Sequence, residues 1–313
     1  MTFTQLEYVI AVDTHRHFAD AAENCFVTQP SLSMQIHKLE KELNIRIFDR
    51  SKQPVVPTET GVLFIEQARK IIAEKNLMHD IMLSSKGMVA GNLHVGIIPT
   101  LAPYLLPLFI RQFLKKYPLV KLVVTELTTE LIITRLRQGR IDAGILVTPL
   151  EEKGINEQPL FYEELMAYVS KNDSAYKKTY ILPQDIDPSK VWLLEEGHCF
   201  RSQIMNLCEL KKISKDAIHF DYEAGSIETL RRMVELNDGI TIMPELATLN
   251  LSNSQLKFIR YFKQPSPTRE VSLVTHRNAA KQRLIEALSD SILSCIPEKL
   301  RKNKAKNIIS IKN

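Results

Sequence analysis

The stretch FADAAENCFVTQPSLSMQIHKLEKEL, residues 18–43, decides how the first part of the chain folds. Ala19, Ala21 and Ala22 make a helix slim enough for close packing. Thr28-Gln29-Pro30-Ser31 opens a second helix, with Thr28 placed as an N-cap and Pro30 in the first turn, where a missing N–H is harmless. Leu32, Ile36, Leu39 and Leu43 then recur at spacings of four, three and four, the apolar stripe of one helix face. Asn44 follows as a C-cap able to take positive φ. Upstream, Leu6, Val9, Ile10 and Val12 give another stripe, so residues 3–43 are expected to form three short helices. Downstream, IRIFDR and PVVPT, parted by Ser51-Lys52-Gln53, suit a small hairpin or wing.

A helix-turn-helix lays its second helix in the DNA major groove and uses that helix's N-terminal residues on base edges and phosphates. Here those positions hold Thr28, Gln29, Ser31, Ser33, Gln35 and Lys38, all able to hydrogen-bond and all off the Leu32–Ile36–Leu39 face. Arg50 and Lys52 fall at the wing, where phosphate neutralisation is geometrically reasonable. Periodicity alone leaves an ordinary three-helix subdomain with a polar surface equally open.

From Glu59 to about Ser85 the pattern is helical and free of proline. Phe64, Ala68, Ile71, Met78 and Met82 form a seam interrupted by Lys75, as in a helix that pairs with a second copy. Beyond residue 91 the period changes. LHVGII, LVVTEL and AGILV alternate with the helical segments LLPLFIRQFLKKY and ELIITRLRQG, the signature of a doubly wound parallel sheet. A second set follows: LMAYVS, VWLLEE, the helix CFRSQIMNLCELKK, IHFDYE, the helix ETLRRMVELN and GITIMP. EVSLVTH and a helix from Gln282 to Cys295 return to the first sheet. The fold expected is therefore α/β with an N-terminal winged helix-turn-helix (1–58), a linker and dimerisation helix (59–88) and a regulatory domain of two doubly wound α/β subdomains (89–298). Subdomain I takes about 89–164 plus 268–298 and subdomain II about 165–267. Such paired sheets bind ligands in the cleft at their strand ends.

The charge is local. The net +5 owes six basic residues to the segment after Glu298, leaving the rest at about −1, so the overall charge says little about nucleic acid and residues 299–313 are expected to be a solvated, disordered tail. The most apolar stretch, Gly96 to Ile110, holds Pro99, Pro103 and Pro107 and is too short to span a bilayer. The N-terminus lacks a secretion signal, and four cysteines in 313 residues are too few for a disulfide scaffold. A reducing, cytoplasmic setting without membrane contact is expected.

Two of those cysteines lie in LLEEGHCFRSQIMNLC, residues 193–208. Gly197 suits a turn after which Cys199 opens a helix. A thiol at a helix N-terminus beside His198 and Arg201 sits where positive potential favours thiolate, the form that attacks a peroxide O–O bond. Nine residues of continuous helix separate Cys199 and Cys208 by about 13.5 Å. A disulfide needs Cα atoms roughly 4.4–6.8 Å apart, so oxidation would require local refolding. The bland alternative, two small hydrophobes under a helix, stays open on these grounds. Cys25 and Cys295 match no motif and are expected in core packing.

FADAAENCFVTQPSLSMQIHKLEKELNIRIFDR and PTETG resemble the DNA-binding domain of LysR-type transcriptional regulators, and the order of parts matches that family over about 290 residues, with Asn44 where a glycine is common. Gly197-His198-Cys199 with Cys208 nine positions on, GIIPTLAPYLLP carrying Thr100 and ELTTELIITRL carrying Thr129 resemble its peroxide-sensing branch. The resemblance implies a periplasmic-binding-protein-like regulatory domain in a homotetrameric activator, a dimer of dimers on double-stranded DNA, that works with RNA polymerase and senses hydrogen peroxide in oxidative stress. It implies Cys199 as the peroxidatic thiol, Cys208 as the resolving one, Thr100, Thr129 and His198 as hydrogen-bonders of peroxide, and Glu228 and Arg269 as a supporting pair. Glu209 to Tyr222 departs most from that branch.

The alternative within the family is a regulator that answers a small metabolite in the interdomain cleft. An enzyme is not expected: there is no G-x-S-x-G, H-E-x-x-H, Walker loop or G-x-G-x-x-G. No cofactor is expected, and His198, Cys199, Cys208 and His219 fit no standard zinc spacing, so no metal is expected either.

Overall fold

A computed structural model of the chain describes residues 1–84, 89–194, 199–208, 225–277, 279, 281–302 and 307–309. It divides into two compact units, Met1–Met88 with Arg137–Arg140, and Val89–Leu136 with Ile141–Asn313.

In the first unit, α1 (Phe3–His15) starts at a capping box: Gln5 N donates to Thr2 Oγ1 and Thr2 N to Gln5 Oε1. α2 (Phe18–Asn24) and α3 (Gln29–Leu43) follow, and Asn44 closes α3 at φ 51°, the left-handed conformation its side chain tolerates. Val9, Val12, Ala21, Ala22, Leu32, Ile36 and Leu39 form the core. β1 (Phe48–Asp49) and β2 (Val56–Pro57) pair antiparallel as the wing.

α4 (Glu59–Ser84) departs from the single seam expected of it. Ile65 is buried in the first unit's own core and Phe64 packs against it, because its first turns complete that core, and Ala68 is buried as well. Lys75 pairs with Glu7 at 2.6 Å and lies over the Phe3 ring, so it ties α4 to α1. Val62, Leu63 and Met78 are the exposed apolar side chains described on this helix. The Met82 side chain lies outside the described residues.

The second unit carries β3 (Gly91–Ile97), α5 (Ala102–Lys116), β4 (Val120–Glu126), α6 (Thr129–Arg137), β5 (Ala143–Thr148), β6 (Ile155–Val169), β7 (Tyr180–Ile181), α7 (Cys199–Leu207), α8 (Ile227–Leu236), β8 (Ile240–Pro244), α9 (Asn253–Leu256), β9 (Ile259–Phe262), β10 (Thr268–His276), α10 (Gln282–Cys295) and α11 (Glu298–Lys302). Among the described residues the strands form one sheet in the order β4-β3-β5-β10-β6-β9-β7, with β8 also paired to β6. β3, β4 and β5 are parallel, the product of two strand–helix–strand crossovers. α6 settles on them through glycine: a Cβ at Gly144 would stand 2.4 Å from Ile132 Cγ2.

β6 is the spine. Its Ile155–Glu164 part pairs antiparallel with β10, and from Leu165 onward its partners are β8 and β9. Two apolar cores flank this exchange. One is built around Leu93, Ile145, Phe161, Leu273 and Leu288, the other around Leu165, Tyr168, Phe200, Ile204 and Ile242. The second lobe is a mixed rather than a parallel sheet, since β6 meets β8 and β9 antiparallel while β7 meets β9 parallel. The strand expected at VWLLEE shrinks to a bridge between Val191 and Ile240. Trp192 N still donates to Ile240 O at 2.8 Å, while its carbonyl accepts from the Thr241 hydroxyl and its indole Nε1 donates to Asp238 O. IHFDYE lies outside the described residues, as do Glu209 to Tyr222 as a whole.

The basic tail differs most from expectation. α11 forms, Leu300 is buried, and Lys299 pairs with Glu245. Ile308 bridges to Thr268, and Ile309 is buried in the second core because the segment carries apolar side chains among its charges.

Candidate functional site

The site gathers where β6 exchanges partners. Arg269 on β10 is in register with Glu163 on β6, and both side chains are fully buried, at 0% exposure. Arg269 Nε donates to Glu163 Oε1 at 2.8 Å, and Leu246 N donates to Glu163 Oε2 at 2.9 Å. Burial lifts the Glu163 carboxyl above its ordinary range, against the pull of Arg269 and the Leu246 N–H. The remaining guanidinium nitrogens reach the turn after β3: Nη1 donates to Thr100 Oγ1 at 3.3 Å and Nη2 to Thr100 O at 3.4 Å. The guanidinium carbon also stands 5.1 Å from the centroid of the Phe200 ring. Phe200 follows Cys199, so one buried cation joins Thr100 to the first turn of α7.

α7 begins at Cys199, as the sequence led us to expect, and a helical bond from Cys208 N to Ile204 O at 3.0 Å carries the ladder one residue past Leu207. The Cys199 side chain and all of His198 lie outside the described residues. Cys208 is a free thiol packed against the second core, and burial pushes its pKa up to about 12. At neutral pH it is protonated and not a nucleophile where it sits. Arg201 Nη1 donates to Leu194 O at 2.7 Å, anchoring the chain that leads into α7.

Thr129 is the first residue of α6. Among the described residues, its Oγ1 is one of two buried side-chain polar atoms without a hydrogen-bond partner; Gln203 Oε1 is the other. Glu228 and Arg269 do not pair with each other. Glu228 Oε1 accepts from Tyr104 Oη at 3.1 Å and Oε2 from Arg231 Nη2 at 2.8 Å, while Arg269 is taken by Glu163. Glu163, Tyr104 and Gln203 escaped the sequence reading. The one signal for Glu163 was a carboxylate inside the apolar run LFYEELMAYV.

On the helix-turn-helix, Thr28, Gln29 and Lys38 are exposed and Ser31, Ser33 and Gln35 half-buried, while Leu32, Ile36 and Leu39 face the core. Thr28 occupies the N-cap position without its hydroxyl capping the helix. Two of these residues have internal partners: Gln5 Nε2 donates to Gln35 Oε1 at 3.3 Å, and Arg50 Nη1 to Ser33 Oγ at 3.2 Å. Arg50 also reaches Glu40 at 3.1 Å and stacks 4.9 Å over the Phe18 ring. The buried Glu40 accepts from Ile47 N and Phe48 N, so one carboxylate locks α3 to the wing. Lys52 is exposed at the wing tip. Cys25 and Cys295 are half-buried at the edges of the first unit's core and the β3–β5 core. Among the described residues no cluster of His, Cys, Asp and Glu could hold a metal ion, and no helix is long and apolar enough to cross a membrane.

A helix-turn-helix with a wing and a two-lobed α/β domain with a thiol-bearing helix are the parts of a DNA-binding regulator, a class that the fold suggests and the comparisons with known proteins establish. The family described as bacterial regulatory helix-turn-helix protein, lysR family, matches residues 3–62, and that described as LysR substrate binding domain matches residues 86–294. The chain belongs to the LysR family. It is 34% identical to a hydrogen peroxide-inducible genes activator of Haemophilus influenzae, over 95% of this chain and 99% of that protein. It is 33% identical to the DNA-binding transcriptional dual regulator OxyR of Escherichia coli K12, over 93% and 95%. A full-length OxyR variant from Pseudomonas aeruginosa superposes with a TM-score of 0.78 at 32% identity, covering 95% of this chain and 99% of that one.

Proposed function

We propose that the chain is a hydrogen-peroxide-sensing, DNA-binding regulator of transcription switched by a reversible Cys199–Cys208 disulfide. The observation that carries this reading is the unbroken helix between the two cysteines. Its nine-residue span holds the two Cα atoms about 13.5 Å apart, roughly twice the reach of a disulfide. The bond and the helix exclude each other, which gives two discrete states from one chemical event.

The chemistry balances without a cofactor. The Cys199 thiolate attacks one peroxide oxygen, the O–O bond breaks, and the departing hydroxide takes a proton to leave as water. The sulfenic acid formed on Cys199 is then attacked by Cys208 sulfur. The S–O bond breaks, a second water leaves with the Cys208 proton, and the S–S bond forms. Two thiols are oxidised by two electrons while peroxide is reduced to two waters; a cellular dithiol reverses the step. The buried Cys208 becomes competent only when α7 unwinds, so the second step is gated by the backbone. The open hydrogen-bonding capacity of Thr129 Oγ1, together with Thr100 on its Arg269 support, suits donors that hold peroxide in line with sulfur. Resemblance adds His198 to that set.

Thr28, Gln29, Ser31 and Lys38 would meet the major groove, with Ser33 and Gln35 behind them and Arg50 and Lys52 flanking on phosphates. Val62, Leu63 and Met78 on α4 are suited to pairing with a second copy, the first step toward a dimer of dimers. Contact with RNA polymerase follows from an activator's role.

Treatment of the reduced protein with stoichiometric peroxide should remove two titratable thiols and yield a crosslinked Cys199–Cys208 peptide by mass spectrometry. Promoter occupancy should change with it, and Cys199→Ser should abolish both. A full thiol titre after treatment, or an unaltered oxidant response in Cys199→Ser, would overturn the reading.

A further inference from the structure

We propose that residues 307–309 form a strap that holds α7 wound, a positioning element for the peroxide switch that sets how readily the disulfide forms. The inference rests on the switch proposed above and assigns a regulatory part to a segment outside the peroxide site. The strap is fixed by backbone bonds to the first residue of β10: Thr268 N donates to Asn307 O at 2.9 Å and Ile309 N to Thr268 O at 3.0 Å. Asn307 Nδ2 donates to Pro265 O at 3.2 Å. Ile309, 8% exposed, sits in the same apolar core as Phe200 and Ile204 of α7. Thr268 is also the neighbour of Arg269, so the strap grips the strand that supports Thr100.

The link to the redox helix is one buried bond. Gln203 Nε2, fully buried, donates to Ile309 O at 3.1 Å. Gln203 stands four residues after Cys199 and five before Cys208, at the middle of the span that must bend or unravel for the sulfurs to meet. Its other amide atom, Oε1, has no partner among the described residues. With the strap in place, half of this buried amide is satisfied; with the strap gone, a wound α7 would bury an amide with neither end paired, which disfavours the wound state. The strap therefore biases the chain toward the reduced arrangement. Unwinding α7 in turn takes the donor away from Ile309 and loosens the strap.

The test uses the full chain, a chain ending at Lys306, and both again with Gln203→Met, which keeps the side-chain length and removes the amide. Each is reduced and then mixed with stoichiometric hydrogen peroxide. Disulfide formation is followed by alkylation and mass spectrometry, and the disulfide fraction is measured at equilibrium in glutathione buffers. Sulfenic acid formation is timed separately in the Cys208→Ser background with a carbon-acid trap. The truncation should accelerate disulfide closure and shift the equilibrium toward the disulfide by about fivefold, the equivalent of one buried neutral hydrogen bond, whereas in the Gln203→Met background, where no amide is left to strand, the same truncation should leave both unmoved. The sulfenic acid step should be unmoved by the truncation, which separates a bias on the helix from damage around Cys199. Closure at the native rate with the native equilibrium in the shortened chain, slower closure there, or an equal effect of the truncation in the Gln203→Met background, overturns the strap alone. Absence of any disulfide in the native chain overturns the switch and the strap with it. Should the shortened chain fail to fold, Ile309→Ala, which weakens the seat of the strap in the second core, decides the matter: closure faster than native supports the strap and native or slower closure overturns it.

Discussion

Replacing Arg269 with methionine keeps the length of the side chain and deletes its charge, leaving Glu163 buried with the Leu246 N–H still donating to it. Breaking one partner of a buried pair in this way costs about 3–5 kcal/mol, a large share of a domain's whole stability. The pH dependence has a definite sign. Burial raises the folded-state pKa of Glu163, so the folded chain holds this proton more tightly than the unfolded one. The associated stability is fully present below the unfolded value, about 4.3, and is lost as pH rises through the raised folded one. Removing Arg269 removes a cause that lowers that pKa, which widens the window. The deficit of Arg269→Met should therefore be larger at pH 8 than at pH 5. Urea unfolding of the reduced protein, followed by the fluorescence of the single tryptophan, Trp192, measures it. The double variant Arg269→Met/Glu163→Leu should recover most of the loss, since no charge is then stranded. A loss that is the same at both pH values and undiminished in the double variant would refute the assignment of Glu163 as the buried charge that Arg269 compensates.

Thr129→Val deletes a buried hydroxyl that has no partner, so stability should hold or rise by up to about 1 kcal/mol while peroxide reacts with Cys199 roughly tenfold to a hundredfold more slowly. Competition kinetics read the rate, and an unchanged one removes Thr129 from the site. Phe26 is 96% exposed at φ 57° in the turn before α3, so Phe26→Asn should stabilise the first unit by about 0.5–1 kcal/mol, seen as a higher melting temperature. A lower one would show that the ring has a stabilising partner. Gly144→Ala drives a methyl against Ile132 Cγ2 at 2.4 Å and Val274 Cγ2 at 2.9 Å, which should lower stability by about 1–3 kcal/mol in calorimetry. An equal or greater stability would mean that α6 rides more loosely on the sheet than its contacts imply.

Short-range patterns were the legible part of the chain. The stripe Leu32–Ile36–Leu39, the Asn44 cap, the wing and the alternation of strands with helices between residues 92 and 148 follow from local spacing, and the structure has each of them. The reading failed where a residue's role is set by a distant partner. Phe64 looked like a seam residue because spacing says which face it shares but not what that face meets. Arg50 also meets Glu40, Ser33 and the Phe18 ring, partners that spacing alone does not disclose. The tail looked like solvated charge because its lysines outnumber Leu300, Ile308 and Ile309, the residues that dock. At the candidate site, Cys199, Cys208, Thr100 and Thr129 stood out by type and motif. Glu163 and Gln203 act through partners 106 residues away, which no local window sees.

The exchange of partners along β6 has a mechanical consequence. Between Glu164 and Leu165 a single strand leaves one lobe and enters the other, and β10 begins beside it at Thr268. Two hydrogen-bonded ribbons lying side by side resist sliding and stretching far more than twisting, so the soft motion of the lobes is torsion about this short band. Arg269 and Glu163 lie one residue inside it. A displacement of α7 that shifts the guanidinium by a fraction of an ångström acts with a short lever arm, near the axle, and the linear displacement produced by the resulting rotation grows with distance along each lobe.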